Sequence, residues 1–248
     1  MRIAKRISLA RIENQLAEWQ GKGSGGGGIR REVFFALKCL GRQPNVTIDV
    51  GANTGDFAAA LRAQAGGDFS IHLFEPSRSN IPKLQTRFAN DEGIHIAPFA
   101  LSDVQGTQTL HSDSPGSGWA SLTKRRLDHM GATFDYSEDV QTLRFDRYWT
   151  DHLDGGRIDI AKLDIEGHEL QALTGFGAAL SACRVIQFEF GGCNIDTRTF
   201  FRDFWYFFTQ HGFELNRISP FGLKKVTKYS QADERFEHTI YIATNRNP

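Results

Sequence analysis

Residues 47–57 read TIDVGANTGDF, an apolar strand-like run that breaks at a glycine turn and passes directly into a helix start. A strand, a glycine and a helix in that order open a βα unit, and open α/β sheets bind their ligands at the carboxyl ends of such strands. Further strand-like segments read at 69–74, 94–99, 158–163, 184–190, 212–218 and 238–243, and helical ones at 55–65, 79–90, 168–180 and 199–211. The early strands are continuous apolar runs, the pattern of a parallel sheet with helices on both faces. Strand–helix alternation of this kind predicts a doubly wound, Rossmann-like α/β sheet, mostly parallel and of seven strands. Near the C-terminus, 213–218, 223–229 and 238–243 follow one another without a crossover helix, so an antiparallel strand is expected there.

Two segments break the rhythm. Residues 102–154 carry only short strand-like pieces (106–111 and 140–145) around a polar stretch, and read as an insertion at the ligand end of the sheet. Residues 1–45 precede the first strand: a helix marked by Ile3, Ile7, Ile12, Leu16 and Trp19, the run GKGSGGGG at 21–28, and a second helix at 29–40. The glycine run reads as a flexible linker. The first helix suits packing on the domain or on a second subunit, or on a membrane surface. The domain proper is then 46–248, and a homo-oligomer is compatible with the tethered helix.

Lysine plus arginine and aspartate plus glutamate both number 29, which leaves no basic footprint for nucleic acid. The local run Lys124-Arg125-Arg126 reads as a solvated loop. Three cysteines, Cys39, Cys183 and Cys193, offer neither even pairing nor CxxC spacing, which favours a reducing, cytoplasmic setting. No window approaches the roughly 18 consecutive apolar residues of a membrane span.

The glycine turn constrains the ligand. Gly55 is followed by Asp56, with no Lys-Ser/Thr pair, so the phosphate-loop pattern is absent. Asn53 stands where a dinucleotide site needs its second glycine, and Asp49 and Asp56 flank the turn with charge that a pyrophosphate would oppose. S-adenosylmethionine (AdoMet) has no phosphate and carries an ammonium and a sulfonium. Asp49 can favour its cationic part, and the amides of Gly51, Ala52 and Asn53 can meet its carboxylate, with Gly55 opening the helix. Glu75 of HLFEPS lies 24 residues after Gly51, where an acid accepts ribose hydroxyls, and Pro76 frames that turn. In FALSD, Ser102 and Asp103 follow the third strand, with Asp103 placed either to meet the adenine amino group or to cap a loop.

With AKLDIEGHELQAL added, these motifs resemble the FkbM-type AdoMet-dependent methyltransferases. The resemblance runs from Val46 to Gly191 and more loosely to Ala243, and its most specific element is Lys162-Leu-Asp164-Ile-Glu166-Gly-His168-Glu169. It implies the seven-stranded class I methyltransferase fold and methyl transfer to a hydroxyl, commonly of a sugar or polyketide. The acceptor would be a small molecule or glycan. Two other readings stand beside it, an NAD(P)-dependent oxidoreductase and a non-catalytic AdoMet-binding module.

Within KLDIEGHE, strand alternation would turn Asp164 and Glu166 to one side, with Lys162 beside them. Acids and a base buried together must pair or hold a ligand. A sugar hydroxyl is a weak acid, so a base or a metal must help to remove its proton. Asp164, Glu166 and His168 are the candidate catalytic residues, with Asp164 also in the cofactor set and Glu189 on the same rim. Such carboxylates permit a divalent cation without requiring one. Lys162 reads equally as an ion pair that organises the turn, His168 as a solvent-facing helix start, and His72 as a core residue. Trp119, Ser121, Asp146, Trp205 and Tyr206 are the aromatic and polar candidates for acceptor contact.

Overall fold

The computed structural model describes residues 8–23 and 27–246. Helices α1 (Leu9–Trp19) and α2 (Ile29–Leu40) precede β1 (Val46–Val50), α3 (Asp56–Ala65), β2 (Ser70–Phe74), α4 (Ile81–Arg87) and β3 (Ile94–Ala97). A small sheet follows, built from β4 (Ala100–Leu101), β5 (Gly106–Ser112) and β6 (Tyr136–Leu143). The main winding resumes with α5 (Phe145–Leu153), β7 (Ile158–Leu163), α6 (Glu169–Gly175), α7 (Ala179–Ala182) and β8 (Cys183–Phe190). It closes with α8 (Cys193–Thr197), α9 (Phe201–Gln210), β9 (Phe213–Ser219), β10 (Gly222–Val226) and β11 (Thr239–Asn245).

The main sheet runs β3-β2-β1-β7-β8-β11-β9-β10. Strands β3, β2, β1, β7 and β8 are parallel, and β11 runs antiparallel to both β8 and β9. The sheet thus has eight strands rather than seven, because Gly222–Val226 folds back on β9 as an antiparallel edge. The strand order reverses between β1 and β7, and the crevice outside the carboxyl ends of those two strands is where such a sheet takes its ligand.

The continuous apolar strands feed two cores. Ile48, Val50, Leu163, Ile186, Phe188 and Phe190 join one, whereas Ile71, Leu73, Ile160, Val185 and Ile242 join the other, on the face covered by α2 and α3. Alternate residues go to opposite faces, and both faces are dry. The aromatic helix RDFWYFF belongs to the first core. Phe201, Phe204 and Phe208 of α9 are fully buried, and the Phe204 and Phe208 rings stack on Phe188 at 4.9 Å. Each such side chain contributes about 1.5–3 kcal/mol by leaving water. Trp205 and Tyr206 ride on this helix and do not face the ligand crevice.

Two further expectations change. Residues 145–153 form a regular helix, so the inserted segment ends near Arg144 and α5 belongs to the main winding. Phe145 and Tyr148 on its apolar face pack against Phe74. The helix expected at 168–180 breaks into α6 and α7 around Gly177, whose φ of +49° is left-handed. His72 is a core residue as read, with Nδ1 2.9 Å from the Tyr148 hydroxyl.

At the N-terminus, Ile12, Leu16 and Trp19 of α1 are exposed and Ala17 is buried, while Ile3 and Ile7 lie outside the described residues. The glycine run is not all linker. A Cβ on Gly21 would lie 2.2 Å from the Ile218 carbonyl oxygen, Lys22 pairs with Asp233 at 3.0 Å, and the Gly23 amide donates to Thr239 Oγ1 at 3.0 Å. Among the described residues no helix is long and apolar enough to cross a membrane.

Candidate active site

Two turns meet backbone to backbone at the reversal point. Gly51 follows β1 with φ +78°, and a Cβ there would lie 2.0 Å from the Asp164 carbonyl oxygen. Only glycine lets the β1–α3 turn approach the β7–α6 turn so closely. Gly55, at φ +85° before α3, faces the Phe88 ring, 2.5 Å from where a Cβ would stand. The amides in this turn are already engaged. Those of Gly51 and Ala52 donate to the Phe74 carbonyl at 2.9 and 3.1 Å, and that of Asn53 donates to Glu75 Oε2 at 2.8 Å. The expectation that all three would meet a ligand carboxylate is therefore corrected: buried amides need partners, and these have found them inside the protein.

A narrow cleft of about 540 Å³, counted to its open mouth, starts at this turn. Phe74, Phe99, Leu101 and Ile165 give it apolar walls, and Glu75, Pro76, Asp164 and His168 give it polar ones. Glu75 is buried. Its two oxygens take the amides of Asn53 and Ser77, with Asn80 Nδ2 at 3.5 Å, and burial raises its pKa against those donors. Each oxygen keeps acceptor capacity for a ligand hydroxyl. Flat apolar walls and a buried acid fit a nucleoside such as that of AdoMet. Ser102 and Asp103, expected here as cofactor contacts, do not line the cleft. Ser102 Oγ donates to Asp103 Oδ1 at 3.1 Å and lies 3.1 Å from His168 Nε2. The residues before them, Phe99 to Leu101, form the wall instead.

A wider cleft of about 1820 Å³, counted in the same way, joins the narrow one. Gly51, Asn53, Gly118 and Asp164 line both, so they mark the junction. Six carboxylates border the wide cleft (Glu32, Asp56, Asp164, Glu166, Glu189 and Asp196) against the bases Lys162, Arg125 and Arg126.

The charges beneath the junction are paired in layers. Asp49 is fully buried and lines neither cleft. Lys162 Nζ lies 3.2 Å from Asp49 Oδ1, 3.5 Å from Asp164 Oδ2 and 3.2 Å from the Gly51 carbonyl oxygen. Burial raises the Asp49 pKa and Lys162 opposes the rise. Its charge is thus met by lysine, not left open for a cationic ligand. Asp164 behaves differently. Burial of the cluster works against its ionisation, but Lys162 and a hydrogen bond from Glu189 hold its pKa below the usual carboxylate range. Glu189 is the complement, its pKa pushed well up by burial and by the Asp164 and Glu166 charges.

Glu166 reaches the cluster by a route that strand alternation does not describe. β7 ends at Leu163, and Glu166 sits at φ +54°, a left-handed residue in the turn. Burial pushes its pKa up to about 7 although Arg125 Nη1 binds its carboxylate. One oxygen each of Asp164, Glu166 and Glu189 lie within 4.8 Å of one another, close enough to hold a cation between them. Glu169 braces the turn from below: Oε1 takes the amides of Ile165 and Gly167 at 2.9 and 3.1 Å. His168, at the N-terminus of α6, is turned to Ser102 in the narrow cleft, away from the three acids.

Four contributors escaped the sequence reading. Arg125, taken as part of a solvated basic run, is buried between Glu166 and Asp196. Glu32 enters from α2, where Gln187 donates to it at 2.9 Å and burial, with Asp164 nearby, pushes its pKa up to about 7. An acid on the apolar face Glu32, Ala36, Leu40 was the available signal. Phe236 and His238 reach the wide cleft from the chain before β11. Because β11 is antiparallel, its start lies at the carboxyl rim of the parallel strands, which topology alone could have indicated. Of the acceptor candidates, Trp119 lines the wide cleft and Ser121 the narrow one, while Asp146 is tied to Arg144 outside both.

No curated protein sequence matches the chain. Among solved structures, Aeropyrum pernix fibrillarin with natively bound S-adenosyl-L-methionine is similar at 12% identity, over 87% of this chain and 76% of that one, with a TM-score of 0.47. A SAM-dependent O-methyltransferase from Thermotoga maritima is similar at 12% identity over 96% and 71%, TM-score 0.45. Magnesium protoporphyrin IX methyltransferase from Synechocystis PCC 6803 with bound SAH is similar at 12% identity over 98% and 89%, TM-score 0.45. The sequence model of the methyltransferase FkbM domain matches residues 49–215, from Asp49 in β1 to Leu215 in β9, more than half of the 248 residues. The chain belongs to the FkbM family of AdoMet-dependent methyltransferases.

Proposed function

We propose that this protein transfers the methyl group of AdoMet to a hydroxyl oxygen, of a sugar in a glycan or a glycosylated metabolite. The observation that carries the reading is the junction: Asp164 borders both the narrow cleft and the wide one. AdoMet in the narrow cleft, with Glu75 toward its ribose and Phe99 to Leu101 beside its base, would bring its methyl group to that junction. When bound, AdoMet supplies an activated carbon for in-line displacement. The chain's own residues hold the acceptor close to it and receive a proton, and positioning alone can supply several kcal/mol.

The walls of the wide cleft support a neutral, hydroxyl-bearing acceptor. Carboxylates outnumber bases there by six to three, and Lys162 and Arg125 are already paired. A phosphorylated or nucleic-acid acceptor would meet repulsion where such ligands need lysine and arginine. Trp119 and Phe236 offer aromatic faces of the kind that sugar rings stack on. The test is a screen of methyl-labelled AdoMet against nucleotide sugars, oligosaccharides, small aglycones and RNA, with the product mapped by mass spectrometry. Label on a sugar oxygen is expected, and label found only on nitrogen, carbon or RNA would overturn the reading.

A further inference from the structure

Resting on that reading, we propose that His238 is the general base, taking the proton of the acceptor hydroxyl as the methyl group is transferred. Every other candidate in the crevice except His129 is engaged: Glu32 accepts from Gln187, Asp56 pairs with Arg87 and Asp196 with Arg125. Asp164 lies 3.5 Å from Lys162, and Lys162 and Glu189 together lower its pKa, which makes it a weak base and a good charge partner. Burial and the Asp164 and Glu166 charges favour the protonated form of Glu189. Glu166 is bound by Arg125. His168, on the narrow cleft, has Nε2 3.1 Å from Ser102 Oγ. Burial keeps the Cys193 thiol protonated. His129 is exposed at the outer wall, on the short helix Asp128–Met130.

His238 remains. It stands just before β11 on the wide cleft, its side chain 54% exposed, with Nε2 3.7 Å from Glu189 Oε2. Among the described residues no hydrogen bond within 3.5 Å ties the ring, so it is free to meet an acceptor. The charged groups that face it are Glu189 from β8 and Asp164 from the β7–α6 turn. Imidazole placed on the cleft in this way is a general base of the kind that takes a hydroxyl proton.

The step balances. A lone pair on the acceptor oxygen forms the new O–C bond, and the C–S bond breaks with its electron pair going to sulfur. The hydroxyl proton passes to His238, and the resulting imidazolium is stabilised by the neighbouring Asp164 carboxylate. The half-exposed ring then returns the proton to water.

The experiment uses the full chain with labelled AdoMet and p-nitrophenyl glycosides as neutral acceptors. His238→Ala is expected to lower kcat by about 10²–10⁴-fold, to leave AdoMet affinity by calorimetry within about twofold, and to regain turnover when imidazole is added. In His238→Gln the acid limb of the pH–rate profile should disappear. A variant with wild-type kcat, or one whose loss follows AdoMet affinity and is not rescued by imidazole, overturns the assignment. If the wild type binds AdoMet but methylates none of the glycosides, the acceptor reading fails. NMR of ¹³C-labelled histidine then decides separately: a His238 ring titrating below the ordinary histidine value supports the assignment, and a ring still protonated at pH 8 overturns it.

Discussion

Asp49 and Lys162 are direct partners across the β1–β7 ladder, and Lys162 Nζ reaches Asp49 Oδ1 at 3.2 Å in a setting where both side chains are almost wholly buried. The same ammonium lies 3.5 Å from Asp164, so one lysine serves two carboxylates and fixes the floor of the crevice. Removing it leaves two acids uncompensated. Lys162→Met should cost about 3–5 kcal/mol, the usual consequence of breaking a buried pair from one side. The double variant Lys162→Met/Asp49→Asn should recover part of that loss, because one stranded charge goes with its partner. Urea unfolding of the three proteins checks this, and equal stability for the single and double variants would show that Asp49 does not depend on Lys162.

Glu169 sets a pH dependence of stability. It is fully buried, and burial pushes its pKa from 4.5 up to about 7 against the backbone bonds it accepts. A carboxyl with a raised folded pKa binds its proton more tightly when folded. Its contribution is therefore complete below about pH 4.5 and is lost as pH rises through about 7. The shift corresponds to about 3 kcal/mol at most. Wild-type stability should fall between pH 5 and pH 8, and Glu169→Gln, which keeps an oxygen for the Ile165 and Gly167 amides, should fall by less. Parallel slopes in denaturant titrations at the two pH values would refute the assignment.

The sequence was most legible where a residue's surroundings are local. The strand that opens TIDVGANTGDF, the glycine turn after it and the acid at Glu75 follow from periodicity and turn chemistry, and β7 falls at its expected bounds. Legibility failed where the surroundings are tertiary. Arg125 reads as one charge in a basic run, yet a segment 41 residues away folds Glu166 against it. Asp164 and Glu166 do share a site, but through a left-handed turn and not through strand alternation. His238 carries no motif, and its place on the rim comes from the antiparallel direction of β11. The Gly51–Asn53 amides looked free because the sequence cannot show that Phe74 and Glu75 claim them.

Gly51 tests the contact between the two turns. A methyl group there would be forced to within 2.0 Å of the Asp164 carbonyl oxygen at a φ of +78° that side chains rarely adopt. Gly51→Ala should lose at least about 1–3 kcal/mol from backbone strain alone. The Asp164 turn must also shift, so AdoMet affinity should fall with stability. Thermal unfolding and calorimetry measure the two effects, and a variant with wild-type values for both would mean that the turns separate at no cost.

Glu75 and Asp103 divide the sequence reading from the geometry. Glu75 follows β2 of the main sheet and Asp103 follows β4 of the small one, and both were expected to contact the cofactor. Glu75 lines the narrow cleft, with one oxygen on the Asn53 amide and the other on Ser77. Glu75→Gln turns an NH₂ group toward one of those amides, which leaves a donor facing a donor and withdraws the charge offered to a ribose hydroxyl. Hydrogen bonds to charged groups contribute about 1.5–3 kcal/mol, so AdoMet affinity should fall at least about tenfold. Asp103 accepts from Ser102 Oγ at 3.1 Å outside the cleft, and its carbonyl takes Arg144 Nη1 at 2.9 Å. Asp103→Asn keeps an oxygen for Ser102 and should leave AdoMet affinity within about threefold, since it removes no charge-assisted bond to the ligand. Calorimetry on the pair decides between them. Equal losses would return Asp103 to the adenine side of the site and require the wall formed by Phe99 to Leu101 to open when AdoMet binds.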